Sequence, residues 1–261
     1  MTAEQFVYLH GQPGSPAELG LFGGAAGGLG AAQLFAPDRA RDRPELPSAP
    51  YLDHLGGAVR DRFPEGPIRL VGFSLGCFVA VELALRLADR EVALDLVSAA
   101  APLDLGDFLP QMAGGMVFSL ARRRPGLFAL LTAVQGGLAR VAPGLLFDQI
   151  FAGAQGADAD LVADPAFRAA IRAILAHSLA GGGRGYRREI AGYVSQGADR
   201  LARLTAPVTL WQGEADSWTP PAMACALAAA RPQSRTLRTL PGLSHYSTLR
   251  AALPEIFGGR P

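Results

Sequence analysis

The run Ile68-Arg69-Leu70-Val71-Gly72-Phe73-Ser74-Leu75-Gly76 decides how the rest of the chain is read. Its first six residues form a short apolar segment of strand type, and Cys77 to Ala88 follows as a helix rich in Ala and Leu. Gly72-Phe73-Ser74-Leu75-Gly76 between them fits G-x-S-x-G in the strand–turn–helix setting that gives this motif meaning. A serine on so sharp a turn projects its hydroxyl away from the backbone, and only glycine leaves room for the bend. The following helix aims its N-terminal N–H groups, and the positive end of its dipole, at charge developing beside the serine. G-x-S-x-G alone is weak evidence in a chain rich in glycine; the strand and helix around it make an ordinary turn the poorer reading.

Working outward, strand-like and helical segments alternate, as in stacked βα units. Phe6 to Leu9 reads as a strand, His10 to Pro16 as a turn-rich loop, Ala17 to Leu29 as a glycine-weakened helix, and Gln33 to Ala36 as a second strand. Tyr51 to Phe63 has helical spacing, and Val92 to Ser98 is a further strand. From Asp104 to Arg203 the rhythm changes to helices without a convincing strand: Phe108 to Arg122, Leu127 to Val141, Leu145 to Ala152, Pro165 to Ala180 and Arg187 to Leu201. Strands return at Val208 to Trp211 and Arg235 to Leu240, each followed by a helix, Pro221 to Ala230 and Tyr246 to Phe257. The expected layout is a core of residues 1–103 and 204–261 with a helical cap, 104–203, inserted between two strands of one sheet.

Composition narrows the chemistry. The 261 residues are 49% hydrophobic and 18% charged, proportions of a globular domain, and the net charge of +1 gives no sign of a nucleic-acid partner. The chain contains no lysine, so neither a pyridoxal phosphate Schiff base nor a P-loop lysine is available. Cys77 and Cys225 are too few for a disulfide framework or a zinc site, and both are expected as buried thiols. Strand-like sequence begins almost at Met1, without a signal-peptide pattern. The uncharged stretch Pro125 to Ala139 is shorter than the ~20 residues a membrane span needs. A cytoplasmic protein with no membrane partner is the expectation.

A serine of ordinary acidity needs a base within reach. Of the 4 histidines, His54 and His177 fall in helical segments beside apolar neighbours, where packing explains them. His245 stands in Pro241-Gly242-Leu243-Ser244-His245, directly after the last strand, where a parallel sheet delivers groups to its carboxyl-end crevice. The base needs an acid to hold its tautomer. Asp216, in Gly213-Glu214-Ala215-Asp216 after the preceding strand, is the choice, with Asp104 and Glu214 as weaker substitutes.

Taken in order, His10-Gly11-Gln12-Pro13-Gly14, the serine turn, Gly213-Glu214-Ala215-Asp216 and Gly242-Leu243-Ser244-His245 resemble the α/β-hydrolase superfamily over nearly the whole chain. The resemblance implies a mostly parallel sheet flanked by helices with an inserted helical cap. It also implies the serine-nucleophile branch, esterase-like, with Ser74, Asp216 and His245 as triad and the backbone N–H groups of Leu75 and Gln12 as oxyanion hole. His10 is then structural. Cys77 departs from the small residue often found there, and the sheet starts at the family's third strand.

The implied activity is hydrolysis of a carboxylic ester, or a related acyl substrate, through an acyl-enzyme on Ser74, without metal or organic cofactor. C–C hydrolysis, thioester hydrolysis, acyl transfer and perhydrolysis use the same triad, and a binding protein of this fold is the alternative from another class. The expected ligand is a small apolar acyl compound, and the protein a monomer or homodimer. Met112, Met116, Phe118, Leu127, Phe128, Leu131, Leu138, Leu145, Leu146 and Phe151 give the cap apolar surface for a pocket roof, or for ordinary packing. Arg122-Arg123-Arg124 reads as a solvated helix end more readily than as an anion site. Trp218, Tyr186 and Tyr193 are candidates to border the pocket.

Overall fold

The structure is a computed structural model that describes residues 4–23, 29–30, 32–230 and 235–258. Six strands, β1 (Gln5–Leu9), β2 (Leu34–Phe35), β3 (Ile68–Phe73), β4 (Val92–Val97), β5 (Val208–Gly213) and β6 (Arg235–Leu240), form one sheet in the order β2-β1-β3-β4-β5-β6. Every pairing is parallel, with Leu9 opposite Gly72 and Phe73 opposite Val97, so the carboxyl ends of β1, β3 and β4 lie level. No strand precedes β1 among the described residues.

Among the described residues ten α-helices complete the fold: α1 (Ser48–Arg62), α2 (Gly76–Arg86), α3 (Gly115–Arg123), α4 (Pro125–Val141), α5 (Pro143–Phe151), α6 (Asp158–Ala163), α7 (Pro165–Leu179), α8 (Arg184–Ser195), α9 (Pro221–Ala230) and α10 (His245–Phe257). Between β4 and β5 the described elements are all helical, α3 to α8 with short 3-10 turns. The expected helix over Ala17 to Leu29 is reduced to a 3-10 turn at Pro16–Gly20, and residues 24–28 of it lie outside the described residues. Glycine explains the shortfall, since it loses more conformational freedom on ordering than any other residue. The expected helix Phe108 to Arg122 opens instead as a 3-10 turn, Leu109–Gln111, because Pro110 supplies no N–H and Gly114-Gly115 follow; α3 starts only at Gly115. Helix α6 was not anticipated.

Strand alternation divides the core between the two faces of the sheet. Phe6, Tyr8, Val71, Phe73, Val97 and Trp211 pack against Leu249, Leu253 and Phe257 of α10. Val7, Leu9, Leu70, Leu94, Leu96 and Leu210 face α1, α2 and the helical segment. On the α10 side one polar ladder crosses the strands: buried Asp95 accepts from Arg69 Nη1 at 2.7 Å and from the Trp211 indole at 2.8 Å. Cys77 is buried as expected, with its thiol donating to Gly72 O at 3.2 Å, but Cys225 is exposed. Helix α9 is apolar nearly all round, so sequence pattern could not say which side faces water.

The turn between β3 and α2 shows why its glycines are required. A Cβ on Gly76 would sit 2.0 Å from Leu9 O, and one on Gly72 would sit 2.8 Å from Cys77 Cα. Both approaches are backbone to backbone, so no rotamer change relieves them. Ser74 itself has φ 55°, a left-handed conformation that costs a non-glycine residue about 1–3 kcal/mol. The two glycines let β1, β3 and α2 close on one point, and the strained serine stands at that point.

Candidate active site

Ser74, Asp216 and His245 come from the ends of β3, β5 and β6, as expected. The Asp216 and His245 side chains meet directly, with His245 Nδ1 2.9 Å from Asp216 Oδ2. Both are buried. Asp216 also accepts from Thr219 Oγ1 and from the backbone N–H groups of Trp218 and Thr219, each at 2.9 Å. Burial pushes the Asp216 carboxyl up, but the His245 charge and these hydrogen bonds outweigh it and hold the group below the ordinary range. Burial likewise pulls His245 down, and the Asp216 carboxylate reverses this, leaving the imidazole above its ordinary 6.5. With Nδ1–H committed to Asp216, Nε2 carries the free lone pair.

The substitutes for the acid are elsewhere: Asp104 accepts from Ala198 N, and Glu214 is exposed. His54 lies 3.4 Å from Asp42 and His177 2.7 Å from Asp38 in partly exposed pairs, so both make surface contacts with carboxylates rather than site contacts. His10 is fully buried under the loop after β1, with Nδ1 2.7 Å from Gly11 O.

Ser74 and His245 line a common cavity with Phe73, Phe151, Trp218 and Tyr246. Ser74 also opens onto a second lobe walled by Leu75, Met112, Phe118, Tyr186 and Ile190. Gln12, Pro13 and Trp218 border both lobes. Among the described residues, no Asp, Glu or Arg lines either lobe. Their free volumes are about 30 and 50 Å³. Of the expected lining residues, Met112, Phe118, Phe151, Trp218 and Tyr186 are there. Tyr193 is instead in the core, donating to Ala101 O at 2.6 Å, and Phe128 and Leu146 are core residues as well. Arg122 to Arg124 are exposed at the end of α3 and line neither lobe. The N–H groups of Leu75 and Gln12 make no hydrogen bond among the described residues, and both residues line the second lobe with Ser74. No group of three or more His, Cys, Asp and Glu side chains among the described residues is arranged to hold a metal ion.

Three carboxylates escaped sequence reading. Asp158 of α6 accepts from Tyr246 N at 2.9 Å and from Ser247 N at 2.7 Å, capping the first turn of α10, where His245 sits. Glu189 of α8 accepts from Gln12 Nε2 at 3.0 Å and from Arg39 Nη1 at 2.5 Å, while Arg39 also donates to His10 O. Glu18 accepts from Gly11 N at 2.9 Å and from Tyr8 OH at 3.0 Å. Each is separated from its partners by loops or by a large part of the chain, so no local spacing announces it.

Burial pushes the Glu18 carboxyl up to about 7, against the Gly11, Tyr8 and Arg39 interactions that favour its charge. A raised folded-state value makes the native protein hold this proton more tightly than the unfolded chain. The stabilisation is then complete below about pH 4.5, the ordinary value, and is lost as pH rises through 7. Glu18→Gln keeps an acceptor for Gly11 N–H and removes the titration. Chemical denaturation from pH 5 to 8 is expected to show a decline in wild-type stability of up to about 3 kcal/mol that is absent in Glu18→Gln. Parallel curves for the two proteins would show that Glu18 does not titrate in this range.

A strained serine between β3 and α2, with an Asp–His pair beyond the ends of β5 and β6, is the arrangement of a hydrolase-type α/β fold. The sequence pattern of the alpha/beta hydrolase family matches residues 6–253, and the chain belongs to that family. Among solved structures it is similar to a bromoperoxidase from Bacillus anthracis, at 16% identity and TM-score 0.64 over 96% of this chain and 88% of that one. It is similar also to the enol-lactonase from Burkholderia xenovorans LB400, at 20% identity and TM-score 0.65 over 97% of this chain and 88% of that one. A third is Est816, described as an N-acyl homoserine lactone degrading enzyme, at 21% identity and TM-score 0.66 over 99% and 93% of the two chains. These identities show a shared fold. No curated protein matches the sequence, and no helix among the described residues is long and apolar enough to cross a membrane.

Proposed function

We propose that the protein is a serine hydrolase that cleaves small, uncharged carboxylic esters. The observation that carries this reading is the buried Asp216–His245 hydrogen bond, with His245 and Ser74 on the wall of one cavity. Ser74 Oγ attacks the ester carbonyl as its proton passes to His245 Nε2, and Asp216 stabilises the resulting imidazolium. The Leu75 and Gln12 amides, both without another acceptor among the described residues, receive the oxyanion. His245 then gives its proton to the leaving alkoxide. Water attacks the acyl-enzyme by the same route in reverse, releasing acid and free Ser74. Residues 104–203 act as the cap, since α3, α5, α7 and α8 all contribute to the walls of the two lobes.

The lobes support the substrate class. Both are walled mainly by apolar and aromatic side chains, and neither offers a charged partner for an ionised substrate, whose burial without one is costly. The limited free volume, about 50 Å³ in the larger lobe, favours a short acyl chain over a long one. Cyclic esters undergo the same chemistry, and two of the similar structures are described by action on lactones.

Turnover of p-nitrophenyl esters from acetate to laurate is expected to be fastest from acetate to butyrate and to fall steeply beyond. An optimum at laurate would contradict the narrow lobes. A folded protein inert to every ester and lactone, and to a fluorophosphonate serine probe, would overturn the hydrolase reading in favour of a binding protein.

A further inference from the structure

Helix α4 is apolar on the side where a surface helix is normally polar. Its inner face, Phe128, Thr132 and Ala139, is buried. Opposite lie Leu127, Leu130, Val134 and Val141, spaced so that one stripe runs down the helix, and they are exposed by 54%, 61%, 57% and 73%. Met116 on α3 and Leu145 on α5, the helices packed against α4, are exposed as well. Among the described residues these six account for all but one of the exposed large hydrophobic side chains, the other being Leu237. Concentration of this kind marks an interaction surface, whereas scattered exposed leucines do not.

The charge around the stripe is of one sign. From Phe108 to Phe147 the sequence has no Asp and no Glu, while Arg122, Arg123, Arg124 and Arg140 stand at the two ends of α4. All four are exposed, and none makes an ion pair among the described residues. The bounding acids differ: Asp148 is paired with Arg168 at 2.6 Å, and Asp107 lies before the start of the stretch.

We infer that this face docks the protein on the surface of anionic lipid, with Leu127, Leu130, Val134 and Val141 entering the headgroup–acyl boundary and the arginines meeting lipid phosphates. An apolar stripe bordered only by arginine is the pattern of a helix that lies in a membrane interface. A second copy of the chain fits less well. In a two-fold pair through α4, arginine-bearing ends would face arginine-bearing ends whichever way the helices ran, without an acid between them. The expectation of no membrane partner rested on the lack of a spanning segment, which does not bear on a helix that lies flat on lipid.

The test is sedimentation of the full chain with vesicles of mixed phosphatidylglycerol and phosphatidylcholine, and with vesicles of phosphatidylcholine alone. Wild type is expected to partition at least about tenfold more strongly onto the anionic vesicles and to be released by salt. Leu130→Asp with Val134→Asp is expected to stay in the supernatant. Arg122→Gln, Arg123→Gln and Arg124→Gln together are expected to weaken binding by about tenfold or more. Both variants alter exposed side chains, and an unchanged melting temperature with unchanged ester turnover in free solution shows them to be folded. No binding to anionic vesicles, equal binding to neutral ones, or binding that survives Leu130→Asp with Val134→Asp would overturn the inference. So would a dimer in sedimentation velocity that Leu130→Asp with Val134→Asp dissociates, which assigns the face to a second copy. Because vesicle binding is read without catalysis, failure here leaves the proposed ester hydrolysis standing, and the converse also holds.

Discussion

Ser74→Ala is expected to lower kcat/KM on the best ester by about 10⁵-fold or more, because the nucleophile disappears while cavity and oxyanion donors remain. The melting temperature is expected to stay close to wild type, since alanine suffers the same left-handed strain at φ 55° as serine. Ser74→Gly separates the two properties. Glycine takes that backbone conformation freely, so this variant should be equally inactive yet more stable by about 1 kcal/mol. Steady-state kinetics and thermal melts on the three proteins check both halves. A Ser74→Ala protein that retained a tenth of the activity would remove Ser74 from the role of nucleophile.

The second large effect concerns Asp216. Asp216→Asn nearly preserves size but loses the charge that overcomes burial around His245, and it favours the wrong imidazole tautomer. A fall in kcat of about 10⁴-fold is expected. The pH profile supplies a second readout. His245 must be neutral to accept the serine proton, so wild-type activity is lost as pH falls through a value above the ordinary 6.5. Without this carboxylate, burial of the imidazole is opposed only by the Asp158 and Glu18 charges, and the residual activity of Asp216→Asn should persist to lower pH than that of wild type. A variant whose acid limb coincided with that of wild type would show that Asp216 does not set the basicity of His245.

The parts of this molecule that sequence made legible are those whose signal is local. Ile68 to Phe73 and the helix after it were recognisable because a strand, a glycine-bounded serine and an Ala/Leu helix stand side by side. The ends of β5 and β6 were recognisable because Asp216 and His245 each fall a few residues beyond a strand-like segment. Where several states share one pattern, reading failed. Ala17 to Leu29 is rich in glycine, and its described start goes no further than a 3-10 turn. Cys225 lies on a helix that is apolar nearly all round, so its exposure was not encoded in periodicity. Helix α6 was missed because Asp158-Ala159-Asp160 resembles a polar loop. The partners of Glu18, Asp158 and Glu189 depend on tertiary packing, which no spacing rule reaches.

The last two of these carboxylates bear on any attempt to exchange the helices between β4 and β5 for those of a relative. Asp158 caps α10 at His245, and Glu189 neutralises buried Arg39 while holding Gln12. A grafted segment without the first would leave the start of α10 with donors unmet. One without the second would strand a cation in the interior, a defect that costs about 3–5 kcal/mol when a buried pair loses a partner. Chimeras that retain both carboxylates should therefore be the ones that fold with an intact site, and the interchangeable portion narrows to the helices from α3 to α5.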